Sequence, residues 1–91
     1  MNELTKVAII DDEELAAKTL ADLVEICGFD SYFCCDPSGF FGLVQSINPS
    51  VVFIDLKMPD MDGVEVVKQL SKIGFNGQVV LISGEGTPLL S

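Results

Sequence analysis

Histidine, arginine and tryptophan are all missing from this chain of 91 residues, and its only cations are five lysines. Without histidine there is no His-based triad, no imidazole acid or base and no His-ligated metal site. Five Lys stand against fourteen Asp plus Glu, a net charge of -9. That leaves no basic surface to displace counterions from nucleic-acid phosphates or to settle on anionic lipid. Cysteine is scarce and oddly numbered: Cys27, Cys34 and Cys35, with no C-x-x-C spacing for zinc or redox work. These thiols are expected to be small buried hydrophobes in a reducing cytoplasm. No run approaches the ~20 apolar residues needed to span a bilayer, and the apolar run 7–10 is too short for a signal peptide. The sequence therefore predicts a soluble, cytoplasmic domain over residues 1–91 that binds neither nucleic acid nor membrane. What it does have is a 48% hydrophobic fraction, enough for a core, and an abundance of carboxylates.

Four apolar runs recur along the chain, at 7–10, 32–35, 51–54 and 79–82. The first, third and fourth show no polar alternation, the pattern of strands buried on both faces of a parallel sheet. The second is more mixed and suits an edge. Between them lie helical segments. Residues 14–27 place Ala16, Leu20, Leu23, Val24 and Cys27 on one stripe, with Gly28 as a C-terminal stop. Residues 37–47 open on Asp36 as N-cap and Pro37 at the first helical position, then carry Phe40, Phe41, Val44 and Ile47. Residues 63–73 set Val64, Val67, Leu70 and Ile73 on one face before Gly74. Alternating strands and helices predict a doubly wound α/β sheet with right-handed crossovers. Thr87 and Pro88 have the form of a further helix start, with Leu89 and Leu90 left unpartnered.

Functional residues of an open parallel sheet collect at the carboxyl ends of its strands. Those ends hold Asp11 and Asp12, then Asp55, then Ser83. Like charges ~4 Å apart cost roughly 1–4 kcal/mol per pair. Three carboxylates in one crevice therefore call for a neutralising cation or a retained proton. With oxygen donors only, the cation is Mg²⁺, with Mn²⁺ as a substitute. The plainer alternative makes Asp11 and Asp12 helix caps and Asp55 a turn residue. One aspartate alone favours that alternative; three at successive strand ends favour the metal site.

The residues Ile9-Ile10-Asp11-Asp12-Glu13, then the stretch 51–63 (VVFIDLKMPDMDG), then Leu81-Ile82-Ser83-Gly84 carry a resemblance. From residue 4 onward the chain resembles the receiver domain of two-component response regulators, a flavodoxin-like fold. The resemblance implies Asp55 as phosphoacceptor, Asp12 as the principal metal-binding acid and Asp11 contributing mainly through water. It further implies the Lys57 backbone carbonyl as a metal ligand and the Ser83 hydroxyl as hydrogen-bond donor to the phosphoryl group. Asp60 and Asp62 add negative charge in the adjoining loop. The implied donor is a histidine kinase or phosphotransfer protein, and the implied role is that of a regulatory acceptor, not an enzyme.

The family's strand-end lysine, fifth strand and last helices have no counterpart in the sequence. The expectation is thus an incomplete receiver of four strands in order 2-1-3-4. Its alternative role is that of an oligomerising interaction module, self-associating through an exposed fourth strand or the truncated C-terminus. Other motif matches fail. Gly84-Glu85-Gly86 lacks the third glycine of a dinucleotide loop. An EF-hand read through Asp60 and Asp62 would need Met58 and Gln69 as ligands. A haloacid-dehalogenase-like site would need an Asp where Lys57 stands. Phe40, Phe41 and Phe53 are expected to be core residues.

Overall fold

A computed structural model describes residues 4–56, 58, 62–82 and, as main chain, 88–90. The elements run β1 (Lys6–Ile10), α1 (Glu14–Ile26), β2 (Asp30–Cys34), α2 (Pro37–Ile47), β3 (Val51–Asp55), α3 (Gly63–Lys72), β4 (Gln78–Ile82) and β5 (Pro88–Leu90). The sheet order is β2-β1-β3-β4-β5. The first four strands are parallel, with Ile10 beside Ile54 and Asp55 beside Ile82. The expected four-strand order and helix alternation are therefore present.

Successive side chains of β1 and β3 point to opposite faces. Ala8, Ile10, Val52 and Ile54 join Phe40 and Val44 of α2 and Val66 and Leu70 of α3 in the larger core. Val7 and Ile9 join Ala21 and Val24 of α1 in a smaller one. Two helices thus cover one face and a single helix the other.

Helix ends follow the local chemistry. The Asp36 carboxylate accepts the Gly39 N–H at 2.9 Å, with Pro37 opening α2. Asp62 accepts the Val64 N–H at 3.0 Å and caps α3. After α1, Gly28 takes a positive φ of 99°, and Gly74 after α3 one of 84°, the left-handed geometry that a residue without Cβ adopts freely.

Several expectations are corrected. The buried positions of α1 are Ala17, Ala21 and Val24, while Leu23 is 54% exposed. In α3 they are Gly63, Val66 and Leu70, and Val64 faces outward. The α1 stripe is rotated toward Ala17 and Ala21, small residues that allow close approach to the sheet. In α3 the predicted Val67, Leu70 and Ile73 do meet the core, and only Val64 is displaced from it. The cysteines are free but not buried: Cys27 is exposed, and Cys34 and Cys35 are half-exposed. Cys27 ends a helix on the sparsely covered face, and the other two lie at the end of the edge strand.

No helix begins at Pro88. Residues Pro88–Leu90 instead pair antiparallel with Ile82–Val80. The edge of β4 offers this segment ready hydrogen-bond partners. Pro at the first position of an edge strand sacrifices no ladder bond. The edge on which self-association was expected is thereby occupied over Val80–Ile82 by the chain's own β5.

Candidate metal and phosphoacceptor site

Asp11 leaves β1 at its carboxyl end, with its N–H donating to the Cys34 carbonyl at 3.3 Å. It is thereby anchored to β2. Asp12 follows it into the loop before α1. Asp55 is the last residue of β3, and the next main-chain N–H, that of Leu56, donates to the Ile82 carbonyl at 2.9 Å. Parallel pairing of β1 with β3 places these strand ends side by side. One carboxylate oxygen from each of Asp11, Asp12 and Asp55 lies within 4.8 Å of the other two. Asp11 and Asp55 are half-buried and Asp12 is exposed, so the crevice opens to solvent on one side.

The electrostatics follow from that crowding. The Asp11 pKa is pushed up from 3.8 to about 6. Burial is the largest cause; the Glu13 N–H opposes it, and the Asp55 charge, a hydrogen bond to Asp55 and the Asp12 charge add to the rise. The Glu13 N–H reaches Asp11 Oδ1 at 3.0 Å. That bond has the capping form of the plainer sequence alternative, although the N-cap position itself belongs to Glu13. Capping and convergence on Asp55 therefore coexist at Asp11. Two of the lysines are engaged elsewhere, Lys18 with Asp22 at 3.1 Å and Lys68 with Glu65 at 3.5 Å.

The donor set is three carboxylates. Hard oxygen donors fit Mg²⁺ or Mn²⁺, which accept carboxylate and water and need no nitrogen or sulfur. The close approach of three acids, one of them with its ionisation opposed, is the observation that such an ion would explain.

Lys57 and Ser83, expected as carbonyl ligand and hydroxyl donor, lie outside the described residues, as does Asp60. Asp62 is an N-cap of α3, so its carboxylate has a structural occupation. Of the aromatic candidates, Phe40 is fully buried, while Phe41 and Phe53 pack at the margins of the two cores. One residue gains significance only from the structure: Gly63, buried at the start of α3, lies against the main chain of Asp55 and Leu56. In the sequence it shows only as the last residue of the 51–63 stretch that carries the resemblance.

A parallel doubly wound sheet with an acid cluster across two adjacent strand ends is the architecture of phosphoacceptor receivers in two-component signalling. Residues 7–89 match the response regulator receiver domain, and the chain belongs to that family. It is 34% identical over 80 residues to the transcriptional regulatory protein FixJ of Rhizobium meliloti, covering 88% of this chain and 39% of that protein. It is 28% identical over 86 residues to sporulation initiation phosphotransferase F of Bacillus subtilis, covering 94% of this chain and 68% of that protein. A CheY-like receiver domain from Methylobacillus flagellatus superposes with a TM-score of 0.84 at 30% identity, over 90% of this chain and 71% of that one. The chain spans well under half of FixJ and 18% of the regulatory protein AtoC of Escherichia coli. Among the described residues, no helix is long and apolar enough to cross a membrane.

Proposed function

We propose that this receiver takes a phosphoryl group onto Asp55 in a Mg²⁺-dependent phosphorelay, with a histidine kinase or phosphotransfer protein as donor. The observation that carries the reading is the convergence of Asp11, Asp12 and Asp55 within 4.8 Å at the carboxyl ends of β1 and β3. Asp55 ends a central strand, so its carboxylate is held by the sheet while its outer side faces the crevice. An oxygen of Asp55 forms the new bond to phosphorus as the phosphorus–nitrogen bond of a donor phosphohistidine breaks and the imidazole departs. The product is a mixed anhydride, labile to water, which makes the mark reversible.

Asp11, Asp12, Asp55 and the carbonyl of Lys57 would hold the ion, and the Ser83 hydroxyl would donate to a phosphoryl oxygen. The ion supplies positive charge against the carboxylates and the incoming phosphoryl oxygens. In this reading the domain is a regulatory acceptor working in the cytoplasm.

The test is incubation with a small acyl phosphate, with and without Mg²⁺, followed by intact-mass measurement of wild type and Asp55→Asn. Addition of one phosphoryl group to wild type only, and only with Mg²⁺, is expected. Equal labelling of the two proteins would overturn the assignment.

A further inference from the structure

Gly63 opens α3 in a tight place. A Cβ built on it would stand 2.9 Å from Leu56 Cδ2, 3.1 Å from Leu56 Cα and 3.3 Å from the Asp55 carbonyl oxygen. The leucine methyl can rotate aside. The Leu56 main chain cannot move so freely, because its N–H is tied to the Ile82 carbonyl on β4 at 2.9 Å. The main chain following Asp55 is thus clamped between α3 on one side and β4 on the other. Gly63 is not among the glycines with positive φ. Its backbone would accept a side chain, and space alone demands the glycine.

We propose that Gly63 is a positioning residue for the acidic site. By lacking a Cβ it lets the first turn of α3 seat directly on Asp55–Leu56 and so fixes the Asp55 carboxylate relative to Asp11 and Asp12. The inference rests on the reading of these acids as a Mg²⁺ site. A methyl at position 63 would push the Leu56 main chain outward by a few tenths of an ångström. Mg²⁺ demands near-ideal octahedral geometry at short bond lengths, so such a displacement at one ligand is felt as lost affinity.

The experiment compares Mg²⁺ binding by calorimetry in wild type, Gly63→Ala, Gly42→Ala, Leu56→Ala and the Leu56→Ala/Gly63→Ala pair. Amide chemical shifts of Asp55 and Leu56 and metal-free thermal melts accompany it. A Cβ at Gly42 meets nothing within 4 Å, so Gly42→Ala controls for a glycine-to-alanine change in a helix. Gly63→Ala is expected to weaken Mg²⁺ binding about tenfold or more, as loss of a supporting contact around a metal site does. It should also move the Asp55 and Leu56 amide signals, while Gly42→Ala binds like wild type. The double variant should stay weak relative to Leu56→Ala, since the main-chain contact persists; it also serves as the measured protein should Gly63→Ala fail to fold. Binding by Gly63→Ala within about twofold of wild type, or restored affinity in the double variant, would overturn the inference and leave the Mg²⁺ site standing. Absence of Mg²⁺ binding in wild type would overturn both.

Discussion

At Asp11, burial opposes ionisation more than any other influence, and the nearby Asp55 charge adds to it. A carboxyl whose folded pKa is raised contributes stability that is fully present below the unfolded pKa and lost as pH rises through the folded one. For Asp11 that window runs from 3.8 to about 6. Metal-free protein should lose part of its stability across it. Asp11→Asn should flatten this dependence and raise the melting temperature at pH 7, since it removes a charge that burial and the neighbouring Asp55 and Asp12 carboxylates disfavour. Melting curves of the two proteins at several pH values decide the matter; identical pH profiles would contradict it. The same proton competes with metal. Mg²⁺ affinity should fall as pH drops through about 6, by up to tenfold per pH unit where one proton is displaced. Calorimetry in buffers of different ionisation enthalpy should register proton release on binding.

At the scale of elements, α2 offers the simplest forecast. Gly42 lies inside the helix, exposed, with open space where its Cβ would be. Gly42→Ala should stabilise the protein by roughly 0.5–1 kcal/mol through helix propensity and a less flexible unfolded chain. Chemical denaturation would show it as a higher midpoint at unchanged slope. Helix α2 was legible in the sequence to its first residue, because Asp36 and Pro37 are local signals with a single physical reading. Three strands were legible for a similar reason, since the continuous apolar runs at 7–10, 51–54 and 79–82 mark strands covered on both faces. The mixed edge strand β2 begins two residues before the run read for it. The acid cluster followed from strand order alone, since β1 and β3 are neighbours and their ends bear the acids. The buried face was legible for α2, where Phe40, Phe41, Val44 and Ile47 meet the core as read, but not for α1. α1 mixes Ala and Leu around its circumference, and the sheet selected Ala17 and Ala21 for closeness of approach over the larger Leu23. Nor was β5 legible. Pro88 satisfies a helix start and an edge strand equally well, and only the vacant edge of β4, a long-range feature, separates them.

For the molecule as a whole, the two faces of the sheet differ in cover, and that difference should govern how it responds to core substitutions. The face under α2 and α3 encloses Phe40, Ile54, Val66 and Leu70 almost completely. The α1 face keeps an apolar groove of about 340 Å³ between that helix and the sheet, lined by Leu20, Leu23, Val24, Phe29, Val51 and Phe53. Residues along it and beside it remain in water, Leu23 at 54% exposure and Ile26 at 80%. Hydrophobic stabilisation scales with area removed from solvent, so the α1 face contributes less per residue than its composition promises. Phe40→Ala, at a fully buried position, should cost roughly 3–5 kcal/mol, a large share of what a small domain possesses. Leu23→Ala should change stability by less than about 1 kcal/mol, because little of its side chain leaves water on folding. Paired denaturant titrations of the two variants test the asymmetry. If Leu23→Ala cost as much as Phe40→Ala, the α1 face would have to be as well covered in solution as the opposite one, and the groove would be closed.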